Sequence, residues 1–220
     1  MGEPTIAVLG TGMVGQAIAG KLVALGHPTV MGSRRADHPG GQTWAAAAGP
    51  KARLDTFAAA TAAAEVVFLC VKGEHALAVL ESIGAAALAG KVLVDLTNPL
   101  DFSKGMPPTL FVSNDDSLGE QIQRAFPTAR VVKTLNTLNC DLMVNPGRLP
   151  EPTDVFLSGN DGSAKATVRG LLESFGWAPD RITDLGDITT ARGTEAWLPL
   201  WIRLWGAFKS ADYNLRLVRG

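Results

Sequence analysis

Three glycines, Gly10, Gly12 and Gly15, stand in the spacing G-x-G-x-x-G, with Thr11, Met13 and Val14 between them. Such a spacing suits close contact between backbone and a pyrophosphate. The first glycine permits a tight turn. The second carries no side chain where phosphate oxygens approach, and the third lets a helix pack closely on a strand. The pattern is weak alone and gains force when it follows a strand and opens a helix. Residues 5–9 form a short apolar run of β type just before it, and Val14, Ala17, Ile18, Leu22 and Leu25 recur at helical spacing just after it. A helix beginning there offers free N–H groups and partial positive charge to an anion. The bland alternative is a glycine-rich turn without a ligand.

The end of the next strand decides which dinucleotide is expected. Gly26 and Pro28 end the helix, and residues 29–31 read as a strand leading into Gly32-Ser33-Arg34-Arg35. A site for NAD places Asp or Glu here, on the ribose 2′-hydroxyl. This chain has no carboxylate before Asp37. Ser33 can donate to a phosphate, and Arg34 and Arg35 can pair with its oxygens. The predicted cofactor is therefore NADP, against the alternative of two solvated surface arginines.

These residues need elements to position them, and the rest of the chain supplies an alternation of strands and helices. Helices are predicted over residues 42–48, 56–64, 74–88 and 118–126, and strands over 66–71, 91–95 and 129–133. The run at 66–71 is apolar on both faces, as in a fully buried strand. Alternation of this kind implies α/β architecture with a parallel sheet wrapped by helices. The proline- and glycine-rich stretch 145–152 is the best linker, followed by a strand at 155–157, a helix at 163–175, a strand at 181–185 and a last helix at 193–208. Two domains are expected, 1–150 and 151–220.

Composition narrows the class. The 220 residues carry 20 Lys and Arg against 21 Asp and Glu, a formal charge of −1, so nothing global favours nucleic acid or an anionic membrane. Hydrophobic residues make up 46%, enough to fill a core, yet no apolar run is long enough to span a bilayer. Cys70 and Cys140 form no disulfide framework, and His27, His38 and His75 are too scattered to hold a metal. A cytoplasmic protein with no nucleic-acid or membrane partner is expected.

The quoted motifs, together with Gly26-His27, Glu74-His75-Ala76, Ser158-Gly-Asn-Asp161 and residues 195–200, make the chain resemble the F420-dependent NADP oxidoreductases over nearly its whole length. The resemblance implies a Rossmann-type doubly wound parallel sheet with a small C-terminal α/β extension. That extension, 151–220, would close the cleft and form the interface of a homodimer. Hydride would pass directly between the nicotinamide of NADP and the ring of coenzyme F420, with no obligatory catalytic side chain. By the same resemblance Val71, Lys72 and His75 lie beside the dinucleotide, Asn98 and Pro99 follow the next strand end, and Asn136, Thr137 and Leu138 line the cleft for the second cofactor.

Other readings stay open. His75 and Lys72 can be ordinary surface residues, and Asn136 and Thr137 can cap a helix. Trp197, Trp201 and Trp205 form one helical stripe, suited to a core or subunit interface or to an aromatic wall over a flat cofactor. The alternatives in function are an NADPH-dependent reductase of another acceptor (a flavin, a ferric chelate, a small carbonyl or imine) and a non-catalytic module that senses NADP(H).

Overall fold

Successive residues of a strand point to opposite faces, and the first strand is apolar throughout, so both of its faces must be covered. The computed structural model describes residues 4–218 and residue 220. In it β1 (Ile6–Leu9), β2 (Thr29–Ser33) and β3 (Ala52–Thr56) are followed by β4 (Val66–Leu69) and β5 (Val92–Asp95). A small antiparallel hairpin, β6 (Leu100–Asp101) and β7 (Thr109–Leu110), stands apart. Then come β8 (Arg130–Lys133), β9 (Val155–Ser158) and β10 (Ile182–Gly186). The main sheet has eight strands in the order β10-β9-β8-β5-β4-β1-β2-β3. Every neighbouring pair is parallel except β8 and β9, which meet antiparallel at Lys133 and Ser158.

The helices are α1 (Met13–Ala24), α2 (Pro39–Ala48), α3 (Phe57–Ala62), α4 (Ala76–Ile83), α5 (Ala85–Leu88), α6 (Leu118–Ala125), α7 (Cys140–Val144), α8 (Gly162–Phe175), α9 (Ala191–Ala196) and α10 (Leu198–Phe208). They cover both faces. Ile6 and Val8 join a core with Ile18 and Leu22 of α1 and Val168 and Leu172 of α8. Ala7 and Leu9 join a second core with Leu80 of α4 and Leu118 and Ile122 of α6. This is the doubly wound architecture expected from the sequence. Residues 151–220 contribute β9 and β10 to the edge of that same sheet. No helix among the described residues is long and apolar enough to cross a membrane.

Local chemistry sets the ends. Ser117 caps α6 by accepting from the Glu120 N–H at 3.1 Å, and its own hydroxyl donates to the Glu120 carboxylate at 2.8 Å. The Ser-x-x-Glu spacing thus brings both the N–H and the carboxylate of Glu120 to the one hydroxyl. Asp161 caps α8 in the same way through Ala164 N–H at 2.7 Å. Four details differ from the sequence expectation. The helix predicted over 74–88 is interrupted at Gly84, whose φ of 89° no helix contains. The last helix breaks between Ala196 and Leu198, where Pro199 begins a new one. Strand β3 and the β6–β7 hairpin were not anticipated, because β3 is half-buried and polar and the hairpin strands have two residues each.

Candidate functional site

In an open α/β sheet, ligands bind beyond the carboxyl ends of the strands where the winding direction reverses. Here the chain runs β1, β2, β3 to one side and then β4, β5, β8 to the other, so the reversal lies between β1 and β4. The Gly10–Gly15 turn sits at that point.

Each of its glycines has a separate job. Gly10 has φ 128°, and a Cβ there would stand 2.5 Å from the Cys70 carbonyl oxygen. A Cβ on Gly15 would stand 2.0 Å from the Gly10 oxygen. Both glycines are demanded by the fold. A Cβ on Gly12 would meet nothing within 4 Å, and the φ of −76° suits any residue. The fold leaves that position free, and open space lies before it. Gly12 is also the N-cap of α1 and has no capping side chain, so the first N–H groups of the helix remain available to an anion.

A cavity of about 360 Å³ opens from this turn. Gly10, Thr11 and Gly12 form one side, Ser33, Arg34 and His38 the end beyond β2, and Cys70, Val71, Lys72 and His75 the side beyond β4. Arg34, Phe57, Val71 and His75 also border an adjoining, largely apolar hollow of about 290 Å³ that continues to Val79 and Ser82. Eight of the predicted residues therefore meet at one place: Gly10, Thr11, Gly12, Ser33, Arg34, Val71, Lys72 and His75.

The others are placed differently. Arg35 does not line this cavity: its guanidinium grips Asp37 with two bonds of 2.8 Å each, out in solvent. Ser33, one of the eight, is buried, with its hydroxyl directed at its own turn. Its hydroxyl donates to the Arg35 carbonyl and accepts from the Arg35 N–H at 3.1 Å, which shapes the turn. Met13 is 80% exposed at the start of α1 and borders a groove between α1, α2 and α7. Val14 packs against the core, and Gly15 is buried.

Two strands further along, Asn98 and Asn136 bond to each other. The Asn98 amide donates to the Asn136 carbonyl at 2.8 Å, and the Asn136 amide donates to Asn98 Oδ1 at 2.9 Å. Pro99 is buried beside them. Thr137 is 2% exposed, and its hydroxyl has no hydrogen-bond partner. Leu138 packs in the core with Leu135 and Leu142. Trp197 donates to the Thr137 carbonyl at 3.2 Å, and Trp201 stacks on Tyr213 at 5.4 Å. Trp205 is 45% exposed. The tryptophan stripe is thus divided among three environments.

Burial pushes the Cys70 thiol well above its ordinary range, with Asp95 adding to the effect, which disfavours the thiolate. Among the described residues no cluster of His, Cys, Asp and Glu could hold a metal.

Sequence reasoning missed His38, Phe57 and a buried charge cluster. Lys133, at the end of β8, has no exposure and lies 2.9 Å from Asp95 and 2.8 Å from Glu195. Desolvation pulls this ammonium down, but the two carboxylates outweigh it and hold it charged. A lysine directly after the buried Val131 and Val132 was the only local signal. Its partners are 38 and 62 positions away in the chain, beyond the reach of any local pattern.

Comparison with known proteins gives concordant matches. The family model of coenzyme F420-dependent NADP oxidoreductases matches residues 5–99. A crystal structure from Arthrobacter sp. FB24, assigned by inference as an F420-dependent NADP reductase, is 52% identical, covers 98% of this chain and 100% of its own, and superposes with a TM-score of 0.93. A hypothetical protein from Sinorhizobium meliloti is 26% identical over 85% of this chain and 87% of its own, with a TM-score of 0.69. Metalloreductase STEAP3 of Rattus norvegicus is 29% identical over 203 residues, 90% of this chain. The match spans only 38% of that metalloreductase's length.

Proposed function

The chain belongs to the F420-dependent NADP oxidoreductase family, and from that premise we propose that it moves a hydride between NADP(H) and coenzyme F420. That it is an NADP-dependent oxidoreductase follows from the family itself. The residues fit the dinucleotide. The open space before Gly12, which no fold requirement explains, is the observation that carries this reading.

The uncapped N–H groups of α1 receive the pyrophosphate. Arg34 pairs with the 2′-phosphate, and the His38 ring borders the same end. His38 Nδ1 accepts from Gly41 N–H at 3.3 Å, so a neutral ring carries its proton on Nε2, where it can donate. The apolar hollow between Phe57 and Val79 receives the adenine. Asn136 Oδ1 and the second N–H of each amide, which the bonds between Asn98 and Asn136 do not use, orient the nicotinamide carboxamide. When bound, NADPH supplies the hydride from its nicotinamide ring.

The chain leaving β5 and β8 carries Asn98, Pro99, Asn136 and Thr137, none of which titrates near neutral pH. Amides and a hydroxyl orient and exclude water but transfer no proton. That chemistry supports a reaction between two flat rings held face to face, where positioning does the work. The 52% identity to the Arthrobacter protein supports F420 as the second ring. The 29% match to a metalloreductase favours one other reading, an acceptor on the route to a metal such as a flavin or a ferric chelate.

Stopped-flow mixing of the protein and NADPH with oxidised F420 tests this, with FMN and ferric citrate in parallel. Rapid bleaching of the deazaflavin band, absent with NADH, is expected. Reduction of FMN or ferric citrate while F420 stays oxidised would transfer the assignment to the second reading.

A further inference from the structure

The buried cluster around Lys133 ties together four segments. The Lys133 ammonium donates to Asp95 Oδ2 at 2.9 Å, to Glu195 Oε1 at 2.8 Å and to the Thr97 carbonyl at 2.5 Å. Asp95 Oδ1 takes the Thr97 N–H at 2.9 Å and the Thr97 hydroxyl at 2.7 Å. Glu195, on α9, takes the Leu118 and Gly119 N–H groups at the start of α6, at 2.8 and 3.0 Å. One ammonium thus fixes the ends of β5 and β8, the start of α6 and the position of α9.

Lys133 and Asp95 have no side-chain exposure and Glu195 has 2%, and the ammonium and all four carboxylate oxygens are already engaged by one another and by Thr97, Leu118 and Gly119, so the three offer a ligand no free group. Stability alone does not call for such a cluster, because buried ion pairs can often be exchanged for apolar groups without loss. What the cluster controls is the path of the two loops that follow β5 and β8. These loops carry Asn98 and Asn136. The second loop also contains Leu135 at φ 60°, a left-handed conformation costly for a branched residue and sustained only by its surroundings. In sheet order the strands β2, β1, β4, β5 and β8 are consecutive. At about 4.8 Å per strand, the Asn98–Asn136 pair lies roughly 10–14 Å from the β1 turn, within reach of the far end of a dinucleotide.

We propose that Lys133, with Asp95 and Glu195, is the positioning group for the nicotinamide end of NADP, acting through the Asn98–Asn136 amide pair. This rests on the reading that the dinucleotide lies across these strand ends, and it does not depend on the identity of the acceptor.

The test compares two ligands by calorimetric titration: 2′,5′-ADP, which has only the adenosine end, and NADPH, which has both. Glu195→Gln keeps the shape and removes one charge. The triple change Lys133→Met, Asp95→Asn, Glu195→Gln removes all three charges together and serves if the single variant fails to fold. Asn136→Ala is the reference for a lost amide contact. Each variant is expected to keep its affinity for 2′,5′-ADP within about twofold, while NADPH weakens about five- to tenfold, the equivalent of one or two neutral hydrogen bonds. The fluorescence of bound NADPH should shift toward that of free NADPH, and Asn136→Ala should give the same pattern. NADPH affinity unchanged in the charge variants, or both ligands weakened equally, would overturn the proposal. F420 failing as acceptor would leave these ratios untouched, since no acceptor is present.

Discussion

Arg34 and Arg35 are adjacent and chemically identical, and the structure gives them opposite surroundings. Arg34 borders the cavity that begins at Gly12, whereas Arg35 is engaged by Asp37 through two 2.8 Å bonds, with its side chain 76% exposed. Truncating each to alanine should therefore separate them. A charge-assisted hydrogen bond contributes about 1.5–3 kcal/mol, so Arg34→Ala should weaken NADPH about 10- to 150-fold. NADH lacks the 2′-phosphate and should bind Arg34→Ala as well as it binds the parent. Arg35→Ala exposes the Asp37 charge, but across solvent this is screened within about 10 Å, and NADPH should weaken less than about threefold. Removing both partners, Arg35→Ala with Asp37→Ala, should leave NADPH unaffected. Calorimetric titration of NADPH and NADH against the four proteins gives the eight affinities needed. Equal losses of NADPH in Arg34→Ala and Arg35→Ala would overturn the distinction between the two arginines, since the second guanidinium would then have left Asp37 for the phosphate.

The glycine loop makes a second separation. Gly12→Val should fold with its melting temperature little changed yet lose NADPH binding, while Gly15→Ala, whose Cβ would stand 2.0 Å from the Gly10 oxygen, should lower the melting temperature sharply. Gly12→Val that retains NADPH would remove the loop from the site. A third prediction concerns acid. The Arg124 guanidinium holds the Asp116 carboxyl down to about 2, with burial opposing it and Gln121 assisting. A depressed carboxyl adds stability above the ordinary value near 4, and that stability is lost as pH falls from there toward 2. Arg124→Ala should thus raise the midpoint of acid unfolding followed by circular dichroism; an unmoved midpoint would mean the pair contributes nothing.

The turn at Gly10–Gly15, the NADP-type end of β2 and the alternating sheet were legible because each is a local pattern of spacing and residue type. The choice between Arg34 and Arg35 was not, since it depends on which way a tight turn presents neighbouring side chains. Asp37 was visible two positions on, but proximity in sequence does not say which arginine it captures. The break at Gly84 escaped because the apolar period continues across it and only the backbone angle betrays the interruption. The Lys133 cluster escaped for a different reason. Its members come from β5, β8 and α9, brought together only once the sheet has closed. Leu138 was placed by resemblance beside the cleft, and its side chain instead fills core space near Leu142.

Direct hydride transfer from a dinucleotide at the β1 turn to a second ring over β5 and β8, as proposed, fixes the source of the acceptor's new hydrogen. The measurement that bears on it most directly uses NADPH carrying deuterium at both C4 positions of the nicotinamide, mixed with F420 in ordinary water. Mass spectrometry of the reduced deazaflavin after one turnover then reads where its new hydrogen came from. Retention of one deuterium per molecule is the expected result. Reduced deazaflavin carrying only protium, or no reduced deazaflavin at all, would contradict it.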